Sequence, residues 1–142
     1  MSKFTTFAND LLDAYLDTGA SGTLAIGPVS ARVNYTLPFK VGLTTTLCTA
    51  GALGTEFTGG SGPYARQSLA GAMGAASAAA KTSTSALTFS GMPAGTWADV
   101  FVADSTGTPK NVVFKGTPSL AKTVNAGDTC LIPSGSFQGT EA

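Results

Sequence analysis

Apolar residues recur at helical spacing near the start of the chain. One stripe, spaced i, i+3, i+4, i+7, i+8 and i+11, consists of Phe4, Phe7, Ala8, Leu11, Leu12 and Tyr15. The opposite side of the same helical projection carries Asn9, Asp10, Asp13 and Asp17. Ser2 is a suitable N-cap and Gly19 is placed to end the helix. The pattern predicts one amphipathic helix over residues 1–18.

After this segment the period of the pattern changes from helical to two. From 39 to 48 apolar residues alternate with Lys40, Gly42 and other small or polar residues, which predicts a half-buried strand. Shorter strand candidates lie at 23–26 and 31–35.

Further along, turn signals separate short apolar runs. Residues 97–102 carry large apolar groups on both faces, as a central strand does, and the segment DSTG then leads into NVVFKG. Residues 97–115 therefore predict one hairpin. The run SLAKTV, the turn NAGD and the run TCLIP predict a second hairpin. Residues 70–86 are rich in Ala, Gly and Ser and predict a loop or a weak edge strand.

These elements predict a mainly β protein with an antiparallel β-sandwich or a jelly-roll-like barrel and one N-terminal amphipathic α-helix. The chain has 142 residues, the usual size of one domain. We therefore expect a single domain, 1–142, with the helix at 1–18 and the sandwich at 23–135.

Composition narrows the classes of partner. Charged residues make up 11% of the chain, against about 25% in ordinary soluble proteins. Eight basic residues balance eight acidic ones and are scattered singly, so nucleic acid is not an expected partner. No apolar run approaches the roughly 20 residues that span a bilayer, so no membrane is expected either. We expect Cys48 and Cys130 to be reduced, packed thiols in a protein made in a cytosol.

The segment GTEFTGGSGPYARQSL, residues 54–69, raises the question of a phosphate-binding loop. A P-loop requires Lys-Ser/Thr directly after its last glycine, and this chain has neither there. Gly60 and Gly62 supply half of a dinucleotide fingerprint, and Pro63 removes a backbone donor. The segment is better explained as a turning connection that leads into a strand near Tyr64.

Other chemistry has equally little support in the sequence. The chain contains no histidine, which removes Ser-His-Asp and Cys-His arrangements and the usual zinc sites. Four carboxylates are candidates for a catalytic pair: Glu56, Asp99, Asp104 and Asp128. Turn aspartates more often bond their own backbone. We therefore expect no enzyme, no cofactor, no metal and no catalytic residues, with Trp97 as a modest candidate for ligand contact.

Between about Phe39 and Gly135 the chain contains the motifs FKVGLTTT, GTE with GGSGPYARQ, FVADSTG, NVVFKG and KTVNAGDTCLIPSG. These motifs resemble those of small tailed-phage virion proteins, a family whose members are labelled tail fibre, minor tail or capsid decoration proteins. The most specific parts of this resemblance are GTE…GGSGPYARQ and KTVNAGDT. The segment from Gly19 to Pro38 departs from the expected pattern.

The resemblance implies a non-enzymatic virion protein made in the host bacterial cytoplasm. The first hypothesis is a capsid decoration protein, a homotrimer on the capsid exterior whose partner is the major capsid protein. The alternative is a tail fibre or minor tail protein that contacts host-surface glycans. A third hypothesis is a small glycan hydrolase, which a turnover assay on host cell wall would support.

Two groups of residues are candidates for interface contacts. Phe4, Phe7, Leu11 and Tyr15 would dock the helix into a partner groove, although packing of the helix on its own sheet is favoured. Tyr64 and Arg66 would contact a neighbouring subunit after the Gly-rich arm. We expect Arg66→Ala to weaken assembly without unfolding the monomer.

Overall fold

A computed structural model describes residues 9, 12–13, 16, 22–26, 33–49, 52–58, 64–105, 112–119 and 121–140. Within these ranges the chain forms twelve strands: β1 (Gly22–Ile26), β2 (Val33–Leu37), β3 (Lys40–Thr44), β4 (Gln67–Ser68), β5 (Ala80–Thr82), β6 (Leu87–Phe89), β7 (Gly95–Trp97), β8 (Asp99–Ala103), β9 (Val112–Gly116), β10 (Lys122–Val124), β11 (Cys130–Ile132) and β12 (Gln138–Thr140).

The strands form one four-stranded sheet in the order β4-β3-β8-β9 and four two-stranded sheets, β1-β2, β10-β7, β11-β6 and β12-β5. The mainly β, antiparallel prediction is confirmed. The sandwich or jelly-roll-like arrangement of these sheets stays a prediction.

The chain forms two compact units. Unit 1 consists of Met1–Phe39, Ser68–Leu87 and Ile132–Ala142, and unit 2 consists of Lys40–Gln67 and Thr88–Leu131. Neither unit is a continuous stretch, so no single cut in the sequence separates them.

In unit 2 the central pair of strands is β3 and β8. They run antiparallel with Lys40 opposite Ala103 and Thr44 opposite Asp99. Strand β8 also pairs with β9, which confirms the predicted 97–115 hairpin and the central position of its first strand. Phe101 of β8 is fully buried in this sheet.

The predicted half-buried character of the first long strand is wrong. Every residue of β3 from Val41 to Thr44 is buried, on both faces of the strand. The face expected to be exposed is covered because Phe101 lies against Gly42, where an added Cβ would collide with its ring. Gly42 therefore allows β3 and β8 to approach each other closely at this point. The alternating pattern in the sequence does not reveal that Phe101 covers this face of β3.

The predicted second hairpin is also wrong in its pairing. Strand β10 pairs with β7, with Thr123 opposite Thr96, and β11 pairs with β6. The turn between them is present, because the Asp128 N–H donates to the Asn125 carbonyl at 3.1 Å. The period-two pattern specified two strands and a turn, and it contains no information on which partner each strand finds.

In unit 1 the predicted strands at 23–26 and 31–35 form the hairpin β1-β2, with Leu24 opposite Tyr35. Of the predicted helix 1–18 the structure describes four residues. Asn9, Leu12 and Asp13 have helical backbone, and the Leu16 N–H donates to the Leu12 carbonyl at 2.8 Å. The remainder of that prediction lies outside the described residues.

Leu12 and Leu16 are at most 1% exposed. A Cβ added to Gly139 of β12 would approach Leu16 Cδ1 within 2.8 Å, so the absence of a side chain at Gly139 admits these leucines. The described part of the N-terminal segment thus packs within its own unit, the arrangement favoured from sequence.

No helix in the described part of the chain is long and apolar enough to cross a membrane.

Candidate interaction site on unit 2

The Glu56–Arg66 pair lies at the centre of the candidate site. Glu56 forms an antiparallel bridge with Thr44 at the end of β3, which brings its carboxylate next to the segment 64–67. Arg66 Nε donates to Glu56 Oε1 and Arg66 Nη2 donates to Glu56 Oε2, both at 2.8 Å. The two side chains are 10% and 15% exposed. This bidentate, largely desolvated geometry is the strongest form of carboxylate–guanidinium pair.

The ion pair favours the charged state of Arg66. The hydrogen bonds that Arg66 donates to the Glu56 carboxylate raise the pKa of Arg66, and partial burial acts against this shift. The guanidinium also lies 5.5 Å from the centroid of the Phe101 ring, a cation–π distance. Arg66 is therefore held by a carboxylate and by an aromatic face of the sheet.

Tyr64 completes the cluster. Its hydroxyl accepts the Leu43 N–H at 2.7 Å and donates to Glu56 Oε1 at 3.2 Å. Burial raises the pKa of Tyr64 well above its usual range, so the hydroxyl stays protonated and remains a donor. Its ring stacks on Phe89 with centroids 6.2 Å apart.

These contacts answer the question raised by the Gly-rich run. The run at 59–63 lies outside the described residues, and the segment that follows it is fastened to the sheet by Tyr64 and Arg66. The hydrogen bonds of Tyr64 and Arg66 join the segment 64–67 to Leu43 of β3 and to Glu56, all within one chain. It is a structural latch between β3 and the segment 64–67.

The predicted interface residues fall into two groups. Phe4, Phe7, Leu11 and Tyr15 lie outside the described residues, and their proposed docking role stays a prediction. Tyr64 and Arg66 are described, and both have partners within their own subunit. Arg66→Ala would therefore remove an intramolecular ion pair as well as any contact to a neighbour.

The ion pair between Glu56 and Arg66 was not predicted from the sequence. A signal was present, because Glu56 and Arg66 are the only charged residues between Lys40 and Lys81. Two opposite charges in an otherwise uncharged stretch are expected to pair when the stretch folds, because each charge would be costly to bury without its partner.

Each of the four candidate carboxylates has an interaction within the chain, and Asp104 acts electrostatically on Arg66, the partner of Glu56. Glu56 is paired with Arg66, and Asp128 Oδ2 accepts the Asn125 N–H at 2.9 Å within its own turn. Asp99 accepts the Cys48 N–H, and Asp104 is buried with a partner of its own. Trp97 is 8% exposed and donates its ring N–H to the Asp99 carbonyl at 3.1 Å. Within the described ranges, no three His, Cys, Asp or Glu side chains lie close enough together to hold a metal ion.

Comparison with known families decides the class of protein. A family model described as podophage GP4 fiber I protein gp80 matches residues 4–140. The chain belongs to this family. The match confirms the resemblance to small tailed-phage virion proteins and extends over Gly19 to Pro38 as well. No curated protein and no solved structure shows significant similarity to the chain.

Membership in this family makes the chain a structural protein of a tailed-phage virion. The two cysteines, Cys48 and Cys130, are free and buried, in agreement with the expectation of packed thiols.

Proposed function

We propose that the chain is a non-enzymatic fibre subunit of the phage virion. The observation that carries this proposal is the family match over 4–140, because the family is described as a fibre protein. This proposal places the fibre alternative ahead of the capsid decoration hypothesis, which the resemblance in sequence alone had favoured.

The arrangement of the carboxylates supports a non-enzymatic role. General acid–base work needs a titrating group within reach of a substrate. Glu56 is occupied by two hydrogen bonds from Arg66 and one from Tyr64, and Asp128 bonds its own turn. The described carboxylates therefore serve folding contacts. Contact with host-surface glycans or with the major capsid protein, and a homotrimeric state, stay predictions.

The copy number of the chain in purified virions tests the proposal. Quantitative mass spectrometry against the major shell protein would give it, and immunogold labelling of intact particles would give the position. We expect a small number of copies, with label on fibres. A copy number comparable with that of the shell protein, with label over the capsid, would replace the proposal with capsid decoration.

Absence of the chain from the particle would contradict both structural roles. A turnover assay on host cell wall would then test the remaining hypothesis of a small glycan hydrolase.

A further inference from the structure

Lys81 is a buried ammonium in a hairpin of unit 1, residues 73–83, that carries no other charge. Its side chain is 3% exposed, and in the sequence it is the only charged residue between Arg66 and Asp99. A buried cation needs an anionic partner, because its desolvation is costly without one. The hairpin does not contain that partner, so the partner comes from another part of the chain or from outside it.

In this structure the partner is Asp13. Its Oδ1 atom accepts Lys81 Nζ at 2.7 Å and the Ala76 N–H at 3.1 Å. One carboxylate oxygen thus receives a charged donor and a backbone donor. The Asp13 side chain is 46% exposed, in contrast to that of Lys81. The buried half of the contact therefore belongs to the hairpin, and the carboxylate stays partly in contact with solvent.

The hairpin holds the two donors in place through bonds of its own. Ser77 and Ala80 exchange backbone hydrogen bonds at 2.8 Å and 2.9 Å, which closes the turn. Strand β5 pairs with β12, where Lys81 lies opposite Gly139. None of these backbone bonds involves Asp13, so the donors are arranged independently of the carboxylate. Such preorganisation lowers the entropic cost of binding an anion there.

Small side chains give a ligand access to these donors. Residues 75–80 read AASAAA, so the longest side chain in this run ends at a serine hydroxyl. Lys81 and Gly139 are directly opposed and share one face of the strand pair. On that face a Cβ added to Gly139 would approach Leu16 Cδ1 within 2.8 Å. The Ala-rich run therefore lets a carboxylate approach the backbone N–H of Ala76 closely.

Neighbouring contacts hold Asp13 at the site. Asn9 Oδ1 accepts the Ala79 N–H at 2.8 Å, and Leu12 and Leu16 are at most 1% exposed. A ligand tethered in this way competes at a much higher effective concentration than a free one. Asp13 therefore fills the site in the wild-type chain.

We propose that the hairpin contains a carboxylate-binding site, the Lys81–Ala76 site, whose donors are Lys81 Nζ and the Ala76 N–H. Asp13 is its ligand within the chain, and a carboxylate from outside the chain binds when Asp13 does not occupy the site. The proposal goes beyond the proposed function and does not depend on where the protein lies in the virion.

Rescue of Asp13→Ala by a free carboxylate tests the proposal. Urea denaturation of the full chain at pH 7 is compared in sodium formate and in sodium chloride at equal ionic strength. An ion as small as formate binds no more tightly than about 1 mM, so the titration extends to about 0.3 M. We expect formate to raise the folding equilibrium constant of Asp13→Ala about twofold or more relative to chloride. Wild type should show no such difference, because Asp13 already fills the site.

Two further variants control for a general effect of formate on folding. The double variant Asp13→Ala, Lys81→Met lacks the ammonium of the site. Asp128→Ala lacks a carboxylate that accepts the Asn125 N–H in a turn of unit 2. Neither variant should gain stability in formate beyond that in chloride. If Asp13→Ala is unfolded in chloride, recovery of its native circular dichroism in formate is the equivalent readout.

Amide spectra locate the bound ion. In a nitrogen–proton correlation spectrum of folded Asp13→Ala, the Ala76 signal should shift with formate and saturate. The Asn125 signal of Asp128→Ala should not shift in the same titration.

Three results would overturn the proposal: no gain for Asp13→Ala beyond chloride, an equal gain in the double variant, or a gain without a shift of the Ala76 signal. Failure of the fibre assignment would appear in the virion labelling, which is independent of these measurements.

Discussion

Two adjacent alanines adopt a backbone conformation that is unusual for their residue type. Ala78 and Ala79 have φ values of 51° and 58°, in the two-residue turn closed by mutual hydrogen bonds between Ser77 and Ala80. Positive φ at both central positions is the pattern of a type I′ turn, where Asn-Gly is preferred. The Ala79 N–H donates to Asn9 Oδ1 at 2.8 Å, so a side chain from the N-terminal segment supports the strained turn.

Replacement of these alanines by Asn-Gly should stabilise the protein. The double substitution Ala78→Asn, Ala79→Gly keeps the N–H that bonds Asn9 and relieves the left-handed strain, for an expected gain of about 1 kcal/mol. Urea denaturation measures it. Ala94→Gly, at an exposed alanine without positive φ, is the control and should lower stability slightly; an equal gain there would contradict the strain argument.

The Glu56–Arg66 latch gives a second prediction at the residue scale. Arg66→Met leaves the Glu56 carboxylate largely desolvated and without its cationic partner, with the Tyr64 hydroxyl still donating to it, which should lower the free energy of unfolding by about 2–3 kcal/mol. The double variant Glu56→Gln, Arg66→Met should recover part of this loss. A double-mutant cycle in urea would give the coupling energy, and a value near zero would mean that the pair contributes nothing to folding.

At the scale of elements, the N-terminal segment is fastened to β5 and its turn by polar contacts, in addition to the leucines that pack at Gly139 of β12. Asp13 Oδ1 accepts Lys81 Nζ at 2.7 Å and the Ala76 N–H at 3.1 Å. Lys81 is 3% exposed, whereas the Asp13 side chain is 46% exposed. The bond to Lys81 lowers the pKa of Asp13 below its usual value of 3.8.

This contact should make stability depend on pH in the acid range. Because the folded-state pKa of Asp13 lies below its unfolded value, its stabilisation is complete above about pH 5 and is lost as the pH falls through the folded pKa. Asp13→Asn should therefore be less stable than wild type at pH 7, with the difference closing below about pH 4. Urea denaturation from pH 3 to pH 7 measures both curves, and a difference that persists unchanged at pH 3 would contradict the assignment.

Sequence pattern predicted strands better than it predicted their partners or their burial. The alternation over 39–48 located β3, and the double-sided apolar run located β8 as a central strand. The alternation could not show that Phe101 covers the second face of β3, because that cover comes from a residue about 60 positions away. The same limit applies to β10 and β11, whose partners β7 and β6 are distant in sequence.

The latch shows a similar limit at a functional site. Tyr64 and Arg66 were predicted to contact a neighbouring subunit, and that role stays a prediction; the contacts that the structure shows for them lie within the chain. The otherwise uncharged stretch around Glu56 and Arg66 contained the information for their pairing. Whether such a pair points inward or toward a neighbour depends on the packing of β3 and Phe101, which composition does not specify.

At the scale of the whole molecule, the balance of eight basic and eight acidic residues determines how copies of the chain meet. Zero net charge gives no long-range repulsion between copies and no electrostatic steering. Any association between copies of the chain should therefore depend weakly on salt, because its charged residues are few and scattered singly.

Raising NaCl from about 0.05 M to about 0.5 M should change the dissociation constant of wild type by less than about threefold. Sedimentation at the two salt concentrations measures this. A large weakening at high salt would mean that charged residues dominate the contact between copies.

The two buried thiols provide a way to measure local opening of the folded protein. Cys48 lies in the loop segment 45–49 that follows β3 and is 9% exposed, whereas Cys130 lies in β11 and is 1% exposed. An alkylating reagent can reach either sulfur only when the surrounding structure opens, and the two openings differ in extent. The rate of modification at Cys48 would therefore follow excursions of one loop, and that at Cys130 would follow separation of paired strands. The wild-type chain thus contains two thiols whose rates of alkylation report two different openings of the structure, and neither requires an engineered label.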